Sequence, residues 1–263
     1  MISELVFLTG NDSRCTEMEL YEDDPYRISL DVPNSEKHPP VHAELFREID
    51  TKSECITACS HHGFVYVGLR NGQVIKADKQ TKVSLFVQLE DGISSVRGHK
   101  DRIFILTGQV GDPYTVYVYD TNAQPLASWK YSDNSQYFQG NKLVIDHKTV
   151  SVIDQECETI IVYNHNGEIT SQKHCPNIDI DSEVVLCSGP SDSIIVSHYD
   201  RNEIFRLNMK TGKEEWMCKD VVSNPQGVTR YGDKYLLVTN KRSDRTTLWI
   251  LDIHTGDIAL IFN

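Results

Sequence analysis

The chain has 263 residues, 39% of them hydrophobic and 24% charged, with 38 acidic residues against 26 basic ones and a formal net charge of −12. That balance excludes a disordered tail, and no apolar run approaches the roughly 20 residues of a membrane-spanning helix. So acidic a surface repels phosphate backbones, which predicts no DNA partner and no membrane partner.

The N-terminal MISELVFLTGND has no basic stretch ahead of its short apolar run and carries an acid within it, so the expectation is no secretion signal and a cytoplasmic location. ELVFLTG, CTEMELYE, YRISLDV and HAELFREID then predict four strands, an irregular first unit over 1–53. An alternative is that this segment supplies three strands and the two chain ends share a unit. The loop from Pro33 to Val41 is longer and more polar than its counterparts.

From residue 54 the sequence repeats. An alternating apolar strand ending in Asp or Asn recurs as QVIKAD, TVYVYD, TIIVYN, EIFRLN and LWILD, closing at Asp78, Asp120, Asn164, Asn208 and Asp252, a step of about 44 residues. Each is preceded by a strand rich in Val, Ile, Leu and Tyr (FVYVGL, RIFILTG, TVSVID, SIIVSHY, KYLLVTN), as burial on both faces requires. Each is followed by a polar turn, with Asn122-Ala123-Gln124, Asn166-Gly167, Thr211-Gly212 and Thr255-Gly256 offering Gly or Asn for positive φ, and then by an outer strand. A shorter inner strand opens each unit: ECITACS, GISSVRG, the stretch around Tyr137 or Leu143, EVVLCSG and PQGVTRYG. Four antiparallel strands stacked radially make a β-propeller blade. The expectation is one all-β domain over 1–263, a six-bladed propeller with blades near 1–53, 54–91, 92–133, 134–177, 178–221 and 222–263.

Seven cysteines form no CxxC pair, which predicts free thiols. Cys55 and Cys59 are four apart, a spacing that would serve a metal on a helix, but ECITACS reads as a strand. His61-His62 falls in the turn between the first two strands of its unit, as a solvated pair or a metal site. Asn177, Asp179, Asp181 and Glu183 alternate in NIDIDSE and read as an acidic loop, without the Gly and terminal Glu of a dedicated calcium site. No HExxH, GxSxG, GxGxxG or Walker A sequence is present, so neither a catalytic residue nor a cofactor is assigned. Arg70, Arg201, Lys241, Arg242 and Arg245 all fall in the connection between second and third strands, which places them on one face as a candidate anion-binding rim. Asp112, Asp200 and Asp244 share those connections and offset part of the charge. The three tryptophans, Trp129, Trp216 and Trp249, read as blade-packing residues.

The segment NPQGVTRYGDKYLLVTNKRSDRTTLWILDIHTGD resembles a blade of the NHL-repeat propellers found at the C-terminal end of tripartite-motif proteins, with its Pro225-x-Gly227-Val228 entry, a YLLVT strand and a hydrophobic strand ending in Asp. The likeness is clear over 224–257, and the other units lack the Pro-Gly entry. LNMKTGKEEW is similar to one repeat of quinone-type propellers. The NHL resemblance implies a six-bladed, monomeric propeller that recruits a protein or RNA target for a ubiquitin ligase whose catalytic segments are elsewhere. The expected function is therefore a non-catalytic protein-recognition scaffold. Two alternatives are single-stranded RNA binding on the basic rim, and an enzyme resembling gluconolactonase or strictosidine synthase with a central-channel metal.

Overall fold

A strand with Val, Ile, Leu or Tyr at successive positions is stable only where both of its faces are covered. A computed structural model of the chain shows how that covering is achieved. It describes the backbone of residues 3–8, 14–21, 42–50, 53–78, 80, 82–108, 114–131, 140–154, 158–176, 184–219, 222–231, 233–242 and 245–262. Side chains are described from residue 53 onward in those ranges, apart from 140–141, 216–217, 241–247 and 260–262.

Every regular element described is a strand. β1 (Ser3–Leu8), β2 (Arg14–Tyr21) and β3 (His42–Asp50) form a three-stranded antiparallel sheet. The first four-stranded blade is β4 (Cys55–His61), β5 (Phe64–Leu69), β6 (Gln73–Ala77) and β7 (Val83–Gln88). The second is β8 (Ile93–His99), β9 (Arg102–Thr107), β10 (Thr115–Asp120) and β11 (Pro125–Lys130). The third is β12 (Gly140–Ile145), β13 (Thr149–Asp154), β14 (Thr159–Asn164) and β15 (Ile169–His174). The fourth is β16 (Val184–Ser188), β17 (Ser193–His198), β18 (Glu203–Asn208) and β19 (Glu214–Lys219). The fifth is β20 (Pro225–Tyr231), β21 (Tyr235–Arg242), β22 (Arg245–Asp252) and β23 (Ile258–Phe262). Of the two places offered for the inner strand of the third blade, the structure takes the one at Leu143.

The opening strands lie side by side around an axis. β4 is beside β8, β8 beside β12, β12 beside β16 and β16 beside β20, and β1 lies beside both β4 and β20. The expected six four-stranded blades are thus corrected to five, with the three-stranded sheet at the seam. The strand expected at residues 26–32 lies outside the described residues. It has no place between β2 and β3, which pair directly from Arg14↔Asp50 to Tyr21↔His42 and leave no ladder position for a strand between them.

The blades hold together through the apolar side chains of facing sheets. Phe104, Leu106, Val116 and Val118 of the second blade pack with Leu143, Val150, Val152 and Ile161 of the third. Val144, Ile153 and Ile160 turn the other way, onto Leu186, Val196 and Phe205 of the fourth. Successive residues of one strand therefore serve two interfaces, and every residue of β17 is buried. Each fully buried aliphatic side chain of this kind stabilises the fold by about 1.5–3 kcal/mol relative to exposure.

The repeated Asp or Asn at the end of the third strand is a turn lock. Asp120 Oδ1 accepts from the backbone N–H of Asn122 and of Gln124, each at 2.8 Å. Asn164 Oδ1 does the same for Asn166 and Glu168, Asn208 Oδ1 for Lys210 and Thr211, and Asp252 Oδ1 for His254 and Thr255. Asp78 Oδ1 accepts from Gln80 and Lys82. The turns of the second to fifth blades each use one left-handed residue, Gly167, Gly212 and Gly256 in the last three, but in the second blade Ala123 at φ 66° rather than Asn122.

Candidate functional site

Antiparallel pairing sends all second-to-third connections to one end of the ring and all first-to-second and third-to-fourth turns to the other. The five cations singled out from the sequence share the former end. Arg70 sits on the first blade, Arg201 on the fourth, and Lys241, Arg242 and Arg245 on the fifth. Arg70 is already engaged. Its Nε and Nη2 donate to the two oxygens of Glu54, the latter at 2.8 Å, and this pairing holds the Glu54 carboxyl below the usual range and the guanidinium above its own. Arg201 donates its backbone N–H to His198 Nδ1 at 3.3 Å, at the hairpin tip between β17 and β18. Lys241, Arg242 and Arg245 were expected in a loop. The structure instead carries β21 and β22 out to them, with Arg242 paired opposite Arg245, and their side chains lie outside the described residues. Asp112, Asp244 and the NIDIDSE acids also lie outside the described residues.

Other sequence-level candidates resolve into packing. Tyr114 is buried, shares a 2.5 Å hydrogen bond with the Tyr163 hydroxyl and stacks on Tyr131. Trp129 and Trp249 lie against inter-blade cores. His61 and His62 both direct Nε2 at the Lys100 carbonyl, at 2.5 and 2.7 Å, and since a carbonyl only accepts, both Nε2 atoms carry hydrogen. Burial depresses the His61 pKa. Cys55, Cys59, Cys175, Cys187 and Cys218 are thiols outside any disulfide, and burial raises the Cys59 thiol to about 11 and those of Cys175 and Cys187 to about 12.

The opposite end of the ring holds a cavity of about 530 Å³ that the sequence did not announce. The ends of the inner strands and the following turns line it: His99 from β8, Asp146 after β12, Ser188 and Asp192 around the end of β16, and Arg230 and Asp233 around the end of β20. Its acids are occupied. Asp146 accepts from the N–H groups of Lys148 and Thr149, Asp192 binds Lys210 Nζ at 2.8 Å, and Asp233 binds Arg230 at 2.5 Å. Two residues before His99 on β8 lies Arg97, half-buried. Its Nη1 donates to the Val96 carbonyl at 2.8 Å and reaches Thr57 Oγ1 on β4 at 3.3 Å. Burial depresses the Arg97 pKa, an effect that its proximity to Cys59 and Cys187 partly opposes. The signal that was available is a charged residue within GISSVRG, a strand otherwise of small, apolar and polar uncharged residues up to His99.

With this geometry in view, the chain is structurally similar to a propeller in the crystal structure of a nidogen/laminin complex, with a TM-score of 0.68 at 14% identity over 100% of this chain and 94% of that one. The chain is a β-propeller. It also resembles streptogramin B lyase, with a TM-score of 0.58 at 14% identity over 80% of this chain and 67% of that one. A chain of the mitotic checkpoint complex matches with a TM-score of 0.55 at 12% identity over 91% and 75% of the two chains. No protein-family profile and no curated protein matches the sequence. Identities this low establish the propeller fold, and the NHL type implied by residues 224–257 remains a resemblance.

Proposed function

We propose that this propeller is a non-catalytic scaffold that recognises a protein partner on the face formed by its second-to-third and outer-to-inner connections. The observation that carries this reading is the difference between the two faces. On one, the third-to-fourth turns are locked by the same Asx cap in five blades. On the other, the blades are joined by segments that differ in length and sequence, among them 131–139 and 175–183. Variable connections on a rigid repeat are where recognition residues reside. Propellers of the same fold occur in the nidogen/laminin and mitotic checkpoint complexes, which supports a protein as the partner class. The narrower reading, the target-binding propeller of a tripartite-motif-type ubiquitin ligase, rests on the last blade alone, and its cytoplasmic location on the character of the N-terminal stretch.

The test is capture from cytosolic extract with and without RNase, repeated with face-specific variants. Recovery of a defined protein that survives RNase, falls at least tenfold with Arg70→Glu plus Arg201→Glu, and is unchanged by Lys173→Glu plus Lys210→Glu on the other face supports the proposal. Recovery that collapses with RNase transfers the rim to single-stranded RNA.

A further inference from the structure

The three-stranded sheet at the seam leaves one place in the ring that no described strand fills. β1 lies against β4 and β20, so this sheet stands between the first and fifth blades with β1 innermost and β3 outermost. Each of those two blades carries a further strand outside its third, β7 and β23 respectively. The position between β7 and β23, along the outer edge of β3, is held by no strand among the described residues. In an antiparallel pair every second residue turns its N–H and C=O away from the partner. β3 contains no proline and therefore presents an outward row of ladder groups at that position.

The two outer strands that flank the position differ from the other three. β11 (PLASWK), β15 (ITSQKH) and β19 (EEWMCK) carry charged residues, which guard an edge against further pairing, whereas β7 (VSLFVQ) and β23 (IALIF) carry none. Leu85 of β7 pairs with Ile75, a member of the apolar face turned away from the second blade, and at 58% exposure it is the most exposed large apolar side chain described. On the other flank, Leu260 pairs with Ile250. Ile250 alternates with Trp249 and Leu251, which pack on the fourth blade, so its register position belongs to the seam side. Counted back from the residue that locks each turn, the counterparts of Leu260 in the other blades are Ser84, Ala127, Ser171 and Glu215. The unfilled position thus has an uncharged strand on either side and an open ladder along its floor.

The connection between β2 and β3 is poorly suited to fill it. β3 runs from His42, opposite Tyr21, to Asp50, so a strand antiparallel to it enters at the Asp50 end. That end is about 26 Å from Tyr21 at the rise of a strand, and the chain from Tyr21 to Tyr26 spans at most about 18 Å. The later part of the connection holds Pro33, Pro39 and Pro40 and the polar run NSEKHPP, which matches neither the ladder nor the uncharged flanks.

We propose that the outer edge of β3 takes up an extended segment of a partner protein as the fourth strand of the seam sheet. Judged by the other outer strands, that segment is five or six residues long. It is free of proline, apolar at alternate positions and basic between them, since β3 carries Glu44, Glu48 and Asp50 against Arg47. The site lies on the outer wall of the ring and uses neither end face, so it can fail while the reading above stands, and the reverse.

Fluorescence anisotropy of the full chain tests this with a labelled peptide of alternating leucine and threonine flanked by lysines, against the same peptide with a central proline. Saturable binding is expected, at least tenfold weaker for the proline peptide, with amide exchange slowed along residues 42–50. Leu85→Lys, at an exposed side chain, is expected to weaken binding at least tenfold, and Leu126→Lys, 50% exposed on the outer strand of the second blade, to leave it unchanged. No saturable binding, equal binding of the proline peptide, exchange slowed elsewhere but not along 42–50, or binding that Leu85→Lys retains overturns the proposal. Binding that appears only after residues 26–32 are replaced by a glycine-serine linker also overturns it, and assigns the edge to the chain's own connection. Dimerisation in sedimentation that Leu85→Lys abolishes overturns it in favour of a second copy.

Discussion

Asn208 holds its turn with one side-chain oxygen that accepts from two backbone N–H groups, and its own N–H closes the loop onto the Lys213 carbonyl. Removing the oxygen leaves two donors without their partner, so Asn208→Ala is expected to cost about 1–2 kcal/mol in urea unfolding, with Asn208→Asp close to the parent. The second blade offers the converse. Ala123 pays for a left-handed backbone at φ 66° that glycine adopts freely, and Ala123→Gly is expected to raise stability by about 0.5–1 kcal/mol in the same assay. These Asx positions were legible in the sequence because they recur with the blade and act on their immediate neighbours. Arg97 was not. Its surroundings combine Thr57 and Cys59 of β4 with Cys187 of β16, and no local pattern records that meeting.

The strands themselves were readable from alternation and from the doubly buried second strand, and their ends were less so. At Lys241–Arg245 a charged, polar stretch looks like a loop, yet register pairing carries the hairpin through to Arg242↔Arg245, because backbone pairing continues irrespective of side-chain polarity. At the other end of the inner strands, His61 closes β4 and His99 closes β8, and burial lowers the pKa of both. Gly98 allows this closeness, since a Cβ there would strike the His61 ring. The unfolded chain takes up protons at these histidines near pH 6.5 while the folded one resists. Stability is therefore fully present above that value, declines as pH falls through it, and levels off below the folded pKa. Tm measured from pH 8 to 5 is expected to fall over this window, and His61→Gln plus His99→Gln to flatten the fall.

At the scale of the whole molecule, a ring is stable only if its seam is covered. The side of the first blade facing away from the second presents Cys55, Val65, Val67, Leu69, Ile75 and Ala77, all buried, with β1 and β2 beside β4 on that side. Removal of residues 1–52 is expected to uncover this apolar face, giving strong binding of a hydrophobic dye and a loss of cooperativity in the melt. The period alone announced a ring, but it did not announce the number of strands at the seam, because the first 50 residues depart from the repeat. The same architecture distributes Cys59, Cys175 and Cys187 around the first, third and fourth blades as protonated, shielded thiols. At neutral pH protonation slows the reaction of each with maleimide, and parting of its interface is expected to speed it. The protein thus carries a built-in clock for its own opening: timed alkylation during denaturation, read by peptide mass, is expected to mark Cys55, on the face of the first blade that the three-stranded sheet covers, before Cys175 between the third and fourth blades.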